Sequence, residues 1–413
     1  LTLYQASGLT NIDGLINLES VGGDIYIYKT AISSVSVFNK INGLTGSITF
    51  RENAELVNIT GFQNITNVTG SITLRQNSNL VSMDGFNSLA SISEDLVIQS
   101  NSAMSNLDGF ENLISIGNDL LISGISCLVN DLTAFSNLVS IGRSFQVNAC
   151  GLISLDGLSN LSNINFLTIQ GCHQLASLSG LPGFENLGSL TIENNDVLES
   201  IVSLEPLRTV SNHIIIRDNP LLVDIKGLKN LESVGDLLTI AKNNSLSALS
   251  GLDSLSSVGG DFKIYENSGL VNFGADGPIN LEIIEGELNI YKNSSLINFD
   301  SFFKLKAIKM GIRLFDNVTL ESLSGLGFVE TTNSLAVTYN PSLITCDGLE
   351  DLGSRHTGNW YFSENGIDCT YLNDQDGDGL INRDDDDDDG DGFIDTLDAF
   401  PFDPTEWLDS DED

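Results

Sequence analysis

The sequence predicts an all-β fold: a right-handed β-solenoid of about fifteen coils, each 23–24 residues long, with leucine at recurring positions. Three observations lead to this prediction. One pattern repeats along the chain: an apolar-x-apolar strand, Asn, then Leu-x-x-Leu, Asp-Gly-Leu, Asn-Leu and Ile-Gly. A unit this short cannot bury its own apolar residues, so neighbouring units must stack around one core. No segment shows ten or more residues of helical periodicity.

The repeat keeps its register through most of the chain. Clear copies run over 96–110 and 238–252, and successive copies are about 24 residues apart. One irregular coil, around 274–278, is expected to be a local insertion rather than a domain boundary. Residues 1–372 are therefore expected to form one solenoid. The apolar position after the Gly turn marks the register: Leu15, Phe38, Phe62, Phe86, Phe110, Phe135, Leu158, Leu181, Leu204, Leu228, Leu252, Phe302, Leu326 and Leu349.

Each coil is expected to consist of one strand and short polar connections. The first and third strand residues are apolar, as in Ile25/Ile27 and Ile72/Leu74, and a period of two directs them inward. Gly-Gly-Asp at 22–24 and 259–261 and Asp-Gly at 13–14, 84–85, 108–109, 156–157 and 347–348 predict turns with positive φ. A short 3₁₀ turn also fits within the coil.

An asparagine column follows the strands. A buried amide at a coil corner can bond to the backbone of its own and the next coil, so we expect a stacked structural ladder. In two adjacent coils Cys150 and Cys172 take the place of the asparagine. The members are Asn53, Asn77, Asn101, Asn195, Asn219, Asn243, Asn267, Asn293, Asn317, Asn340 and Asn365.

The five cysteines cannot all pair within the chain. Cys346 and Cys369 are one coil apart, and stacked coils bring Cα atoms to about 5 Å, which is compatible with a disulfide. We predict that bridge, with Cys150 and Cys172 either bridged or buried as thiols. The cysteine spacing is not that of a zinc site.

The pattern resembles the receptor L-domain type of leucine-rich repeat found in insulin and epidermal growth factor receptors. The matching residues are Leu113-x-x-Ile116-Gly117-x-Asp119-Leu120-x-Ile122 and Leu231-x-x-Val234-Gly235-Asp236-Leu237-x-x-Ile240-x-x-Asn243. The resemblance covers about 1–370 and implies coils of sheet and extended turns. This chain has far more coils and few cysteines, so the ligands of those receptors do not carry over.

Charge excludes some partners. The formal net charge is −38, and residues 374–413 alone carry 18 acidic residues and one arginine. Such acidity argues against nucleic acid and against anionic membrane surfaces. No run of 18 apolar residues is present, so no membrane-spanning helix is expected.

Both ends of the chain indicate that it is a fragment of a longer protein. Leu1-Thr2-Leu3 has the pattern of a strand already in progress, and residues 409–413 have that of the opening of another acidic loop. The absence of a signal peptide is therefore uninformative.

Residues 373–413 are predicted to form a separate calcium-binding segment. Alternate carboxylates with a glycine at position 6 and a backbone carbonyl at position 7 converge on one calcium ion. No helix-forming segments flank the loops, so an EF-hand helix pair is not expected. The predicted ligands are Asp387, Asp389, Asp391, Phe393 through its carbonyl, Asp395 and Asp398, preceded by a second copy at Asp374, Asp376, Asp378, Leu380, Asn382 and Asp385.

This segment resembles the thrombospondin type 3 calcium repeats common in secreted bacterial proteins. The resemblance rests on the Asp-x-Asp-Gly-Asp-Gly pattern followed by Asp398-Ala399-Phe400-Pro401-x-Asp403-Pro404. It implies a calcium-stiffened stalk and an extracellular or cell-surface location, with secretion by a bacterium. Without calcium, the unneutralised carboxylates repel one another and a disordered tail is expected.

No catalytic constellation stands out. The three histidines, His173, His213 and His356, have no Ser or Cys nucleophile at a recognisable motif spacing, so we expect no enzyme. Pectin-cleaving β-helices are the enzyme alternative, and they would require clustered Asp or Arg on one long strand face.

Outward strand positions carry aromatic and basic residues, an enrichment that predicts a partner surface in so acidic a chain. The alternative without a functional role is that exposed strands favour aromatic and other residues of high β-propensity in any case. The first functional hypothesis is a recognition or adhesion protein that binds a glycan or a protein. The alternative is a subunit that assembles with its own copies into an extracellular fibre or coat. The predicted surface comprises Tyr26, Tyr28, Arg51, Arg75, Arg217, Lys263, Tyr265, Tyr291, Arg313, Phe315 and Tyr361.

Overall fold

The structure is a computed structural model that describes residues 1–124, 129–149, 151–275, 277–349, 352, 360–367, 369, 376 and 385–408. It comprises two compact units. Unit 1 contains Leu1–Val210 and Asp218–Leu221, and unit 2 contains Ser211–Arg217 and Leu222–Asp413. The expected boundary at 372/373 lies outside the described residues. No helix in the described parts of the chain is long and apolar enough to cross a membrane.

Unit 1 is built of strands and short 3₁₀ turns. Its strands are β1 (Thr2–Tyr4), β2 (Ile25–Tyr28), β3 (Ser34–Val35), β4 (Ile48–Arg51), β5 (Asn58–Ile59), β6 (Asn67–Val68), β7 (Ile72–Arg75), β8 (Ser91–Ile92), β9 (Leu96–Gln99), β10 (Ser115–Ile116), β11 (Asp119–Ser123), β12 (Ser140–Ile141), β13 (Ser144–Asn148), β14 (Phe166–Gln170), β15 (Asn186–Leu187), β16 (Ser189–Glu193) and β17 (Thr209–Val210). Its 3₁₀ turns are Asp13–Leu15, Val37–Lys40, Asp84–Phe86, Thr133–Phe135 and Val202–Leu204.

Unit 2 repeats the same construction. Its strands are β18 (Ile214–Arg217), β19 (Ser233–Val234), β20 (Leu238–Ala241), β21 (Ser257–Val258), β22 (Phe262–Tyr265), β23 (Ile283–Ile284), β24 (Glu287–Tyr291), β25 (Ala307–Ile308), β26 (Gly311–Phe315), β27 (Thr331–Thr332), β28 (Leu335–Thr338) and β29 (Trp360–Ser363). Its 3₁₀ turns are Lys226–Leu228 and Ser324–Leu326.

The long strands form the main sheet of each unit, and every pair is parallel. In unit 1 the order is β1-β2-β4-β7-β9-β11-β13-β14-β16, and in unit 2 it is β18-β20-β22-β24-β26-β28-β29. Each strand pairs with the strand of the next coil, so each coil adds one strand to the main sheet. The two-residue strands stack in the same way on other sides of the coils. The all-β solenoid predicted from the repeat is confirmed.

The core is the stack of inward residues. Ile25, Ile72 and Leu74 are fully buried, as period-two alternation predicts. In unit 1 the phenylalanines of the register column also stack, with ring centroids 5.3 Å apart for Phe62–Phe86 and 5.8 Å for Phe86–Phe110. Each coil thus covers the apolar surface of its neighbours, because its own 24 residues cannot.

The asparagine column forms the predicted ladder in each unit. Asn77 donates from Nδ2 to the carbonyl oxygen of Phe50 at 3.0 Å, and its backbone N–H donates to Oδ1 of Asn101 at 2.9 Å. The same pattern recurs in unit 2, where the backbone N–H of Asn293 donates to Asn317 Oδ1 at 3.1 Å. The amides therefore satisfy backbone groups that the coil corner leaves unpaired.

Positive φ occurs mainly where the sequence analysis did not place it. Fourteen non-glycine residues among those described have φ of 49–58°, and nearly all stand immediately before the ladder column, as Glu52 and Gln76 do. The left-handed region costs an L-residue roughly 1–2 kcal/mol, and the ladder hydrogen bonds offset this cost.

The predicted glycine turns are only partly correct. Gly109, Gly157 and Gly348 have φ of +110°, +112° and +92°. Gly14 and Gly85 instead lie within 3₁₀ turns, and the Gly-Gly-Asp segments also lack positive φ. A 3₁₀ turn uses right-handed backbone, so an Asp-Gly pair inside one needs no left-handed residue.

Candidate functional site

Two features of the structure could serve a function. The first is the sheet face, defined as the outward residues of the long strands. The second is the acidic segment, residues 385–408. In the sheet face, parallel register places equivalent residues of successive coils side by side: Tyr26 pairs with Thr49, and Tyr28 pairs with Arg51. Of the eleven predicted surface residues, four lie in unit 1 and seven in unit 2.

In unit 1 the Tyr28 ring lies at the centre of the Tyr28 cluster, which consists of Tyr4, Tyr26, Tyr28, Lys29 and Arg51. The Tyr4 and Tyr26 ring centroids lie 5.0 and 6.1 Å from that of Tyr28. Lys29 Nζ is 5.1 Å and Arg51 Cζ is 5.6 Å from the same centroid, distances at which a cation is attracted to a ring. Tyr4 was not among the predicted surface residues, although it pairs in register with Tyr28 from one coil earlier.

One carboxylate serves both cations of this cluster. Glu52 lies 3.1 Å from Lys29 Nζ and 3.1 Å from Arg51 Nε. The hydrogen bond from Lys29, with lesser help from Arg51, lowers the pKa of Glu52 below its ordinary value. The pKa of Lys29 is raised, first by its hydrogen bond with Tyr28 and then by Glu52.

In unit 2 three rings form the aromatic stack: Tyr265, Tyr291 and Phe315. Centroids are 4.7 Å apart for the first pair and 4.4 Å for the second, with interplanar angles of 2° and 6°. Tyr291 lies between the other two rings, and all three residues are half-buried. Burial raises the pKa of Tyr291, with Tyr265 adding to the effect.

Two of the three basic residues predicted for the unit 2 surface form ion pairs with carboxylates. Lys263 Nζ lies 2.9 Å from Asp261, and Arg313 Nη2 lies 3.0 Å from Glu287. Asp261 stands two residues before Lys263 in the same coil, whereas Glu287 and Arg313 lie on the neighbouring strands β24 and β26. Tyr361, on β29, is 62% exposed. The unit 2 part of the sheet face is therefore aromatic and near neutral rather than basic.

The acidic segment gathers carboxylates into a cluster. Oxygens of Asp387, Asp389 and Asp391 all lie within 4.8 Å of one another. Gly392 has φ of +95°, and its N–H donates to Asp387 Oδ2 at 3.0 Å, which closes the loop around the cluster. Asp389 is 6% exposed.

Several carboxylate oxygens in this segment are buried without a hydrogen-bond partner among the described residues: Asp387 Oδ1, Asp388 Oδ1, Asp389 Oδ2 and Asp398 Oδ2. A buried anionic oxygen without a partner is costly in free energy. Carboxylate oxygens are also the ligands that a hard divalent cation prefers. The residues present therefore fit an ion such as calcium.

Asp388 belongs to a second group of carboxylates that the sequence analysis did not separate. It is 5% exposed, and its backbone N–H donates to Asp395 Oδ1 at 3.0 Å. Burial, followed by the negative charges of Asp395 and Asp385, raises the pKa of Asp388 to about 6. Because six aspartates are consecutive in the sequence, spacing alone does not show which of them belong to the first group of carboxylates and which to the second.

The remaining predicted ligands are only partly described. Asp376 and Asp385 are described, and both contribute charge that raises the pKa of Asp388. Asp374, Asp378, Leu380 and Asn382 lie outside the described residues. Beyond the carboxylates, the Phe393 and Trp407 rings stack with centroids 4.2 Å apart. The Ala399 N–H donates to the Trp407 carbonyl at 3.1 Å, so the segment folds back on itself.

The structure places Cys346 and Cys369 in a disulfide, with Cα atoms 5.8 Å apart. Cys172 is buried at a ladder position, and its N–H donates to Asn195 Oδ1 at 3.0 Å. Cys127 and Cys150 lie outside the described residues, as does His356. His173 forms an exposed 2.8 Å pair with Asp196.

No family model matches the chain, and no curated protein matches it. Among solved structures, the chain is similar to the crystal structure of a TLR13–ssRNA13 complex, with 13% sequence identity and a TM-score of 0.35. The alignment covers 84% of this chain and 62% of that chain, so this chain spans less than two thirds of its length.

Proposed function

We propose that this chain is a non-enzymatic recognition protein whose sheet face binds a glycan or a protein. The supporting observation is that inward, corner and outward side chains of each coil have separate structural roles. Inward residues form the core, and the ladder amides hydrogen-bond to backbone groups at the coil corners. The outward residues are left to form the Tyr28 cluster in unit 1 and the aromatic stack in unit 2. Neither aromatic group is required to close the core, so both are available to a ligand.

The acidic segment supports an extracellular setting. Its buried, unpartnered carboxylates fit calcium, and extracellular modules bind calcium at about 10⁻⁴–10⁻³ M, so millimolar calcium would load even weak sites. Asp387, Asp389, Asp391 and Asp398 would hold one ion. We propose a thrombospondin type 3-like stalk that calcium stiffens, in a protein that a bacterium secretes or displays on its surface.

Nucleic acid is not a proposed ligand. The solved structure reported above is a complex with ssRNA13, but the formal net charge of −38 opposes binding of a polyanion by this chain.

The alternative function is self-assembly into a fibre or coat. One observation favours it: internal ion pairs leave the unit 2 part of the sheet face near neutral. Copies of a strongly acidic protein meet least repulsion at such a surface.

Two measurements on the full chain separate these functions. Electron microscopy and sedimentation, with calcium and after chelation, test for filaments. A glycan array tests for ligands, with Tyr28→Ala and Tyr291→Ala as variants. A monomer whose array signal falls in either variant supports recognition. Filaments without any ligand support assembly and contradict the proposed recognition function.

A further inference from the structure

We infer that β4 and β7 carry a subsite for the anionic groups of an acidic glycan, held by Arg51 and Arg75 with Thr49 and Thr73. The inference rests on the proposed recognition function and names its ligand class. The shared chemistry is an oxyanion, either the carboxylate of a uronic acid or a sulfate ester. The subsite lies wholly within unit 1.

Two like charges stand in register at this position. Arg51 pairs with Arg75, and Thr49 pairs with Thr73, on neighbouring parallel strands. Adjacent strands lie about 4.8 Å apart, and like charges directly opposite each other destabilise a sheet. The chain has only 18 basic residues against 56 acidic ones, so this juxtaposition runs against its composition. An anion bound between the two guanidinium groups would remove the repulsion.

The local supply of carboxylates is too small to neutralise the cations. Lys29 and Arg51 share Glu52, and Arg75 forms no ion pair with any described residue. In unit 2, by contrast, Lys263 and Arg313 each have a carboxylate of their own. Lys29, Arg51 and Arg75 thus have one carboxylate among them. They therefore form a positively charged patch on unit 1, although the net charge of the protein is −38. The charge of the patch therefore complements an anion.

The neighbouring groups suit a sugar. The hydroxyls of Thr49 and Thr73 make no hydrogen bond with the described residues, and both side chains are half-buried. Each hydroxyl can donate to an oxyanion or exchange hydrogen bonds with a sugar hydroxyl. The Tyr28 ring, 5.6 Å from Arg51 Cζ, adds apolar area at the edge of the subsite.

A glycan fits this surface better than an acidic peptide. An extended peptide gains its main-chain hydrogen bonds by adding to a free strand edge. Here β4 and β7 are paired on both sides, in the order β2-β4-β7-β9, and so offer no edge. Their ligand must be recognised by side chains alone, and guanidinium groups and hydroxyls provide donors of the kind an anionic sugar needs.

The test measures binding of the calcium-loaded full chain to four probes by isothermal titration calorimetry. The probes are a short oligogalacturonate, a sulfated dextran oligosaccharide, a neutral dextran oligosaccharide and an oligo-aspartate peptide. The variants are Arg51→Gln and Arg75→Gln. Arg143→Gln is the matched control, because Arg143 also lies in unit 1 but pairs with Asp119 away from the subsite.

We expect an anionic oligosaccharide to bind, and the carboxylate and sulfate probes distinguish the two sources of the oxyanion. Arg51→Gln and Arg75→Gln should each weaken binding about tenfold or more, the loss expected for a charge-assisted hydrogen bond. Arg143→Gln should leave binding unchanged. Arg75→Gln should not lower the melting temperature, since it removes a repulsion, and this separates a binding role from a structural one.

Three results would overturn the inference. They are equal binding by Arg75→Gln and the unsubstituted chain, binding of the peptide as tight as that of the oligosaccharides, and no binding of either anionic oligosaccharide. Binding of the neutral oligosaccharide alone would overturn the subsite but leave the proposed recognition function standing. Filaments with no ligand of any class would end both.

Discussion

Oδ1 of Asn77 accepts two hydrogen bonds from Asn53, one from the backbone N–H at 3.1 Å and one from Nδ2 at 3.2 Å. Nδ2 of Asn77 in turn donates to the Phe50 carbonyl. The side-chain amide of Asn77 thus hydrogen-bonds to two backbone groups of the preceding coil, the N–H of Asn53 and the carbonyl of Phe50. Because the next rung repeats the arrangement, the ladder couples neighbouring coils through buried polar groups that have no access to water.

Removal of one rung should therefore destabilise unit 1 strongly. In Asn77→Ala the N–H of Asn53 and the carbonyl of Phe50 lose their partners, at roughly 1–3 kcal/mol each, so the unfolding free energy should fall by about 2–6 kcal/mol. Urea denaturation followed by circular dichroism measures the change. Asn87→Ala, at an exposed position, is the control and should shift the midpoint little. Equal midpoints for the two variants would show that the ladder contributes little.

The loss of stability caused by truncating a residue of the phenylalanine stack should depend on the side-chain volume that remains. Phe86→Ala opens a cavity between Phe62 and Phe110 and should cost about 3–5 kcal/mol. Phe86→Leu should cost less than about 1.5 kcal/mol, because leucine occupies this column in other coils, as at Leu228. Thermal and urea unfolding of both variants provide the comparison. A leucine variant as unstable as the alanine variant would contradict the prediction.

Loss of the disulfide should loosen the last coil before the rest of unit 2. Cys346 and Cys369 close a loop of 23 residues, for which chain entropy predicts about 3 kcal/mol of stabilisation. In the double Cys→Ser variant, hydrogen exchange measured by mass spectrometry should accelerate in β29. Exchange in β20 should not change, because each coil contacts mainly its neighbours. Uniform acceleration over both strands would contradict a local role.

The proposed calcium site predicts a difference between neighbouring aspartates. Asp389→Asn removes a charge from the one buried member of the Asp387–Asp389–Asp391 cluster and should weaken calcium binding about tenfold or more, since ligand charge sets affinity in such loops. Asp386→Asn, at an exposed position immediately before the cluster, should leave the affinity nearly unchanged. Calorimetric titration with calcium measures both. Equal losses would indicate diffuse counter-ion attraction rather than a site.

The raised pKa of Asp388 predicts how the calcium-free acidic segment responds to pH. Its pKa is about 6 when folded against an ordinary 3.8, so between these values the folded segment binds more protons than the unfolded one. Stability of the segment should therefore be highest below about pH 4 and decline as pH rises through 6. Proteolysis in chelator should cut 385–408 faster at pH 7 than at pH 5. Asp388→Asn should flatten the profile, and faster cutting at pH 5 would refute the assignment.

Much of the solenoid was predictable because a strict repeat makes local and global preferences agree. Ile25 and Ile27 lie inward because strand side chains alternate, and Asn53 lies at a corner because the turn leaves backbone groups that a short amide can reach. The glycine turns at Gly14 and Gly85 were predicted wrongly, since the same Asp-Gly pair fits either a left-handed turn or a 3₁₀ turn, and spacing along the chain does not distinguish the two.

The amino-acid sequence alone determined the coil period, the inward positions and the ladder column, since these depend on side-chain type and on spacing along the chain. Only the tertiary structure decided which charges meet. Glu287 forms an ion pair with Arg313, whereas Arg75 forms none with the described residues, and the charges of Asp395 and Asp385 raise the pKa of Asp388. Such contacts join residues one coil apart or on opposite sides of a turn. Their distances follow from the stacking of coils and from side-chain rotamers, neither of which spacing along the chain specifies.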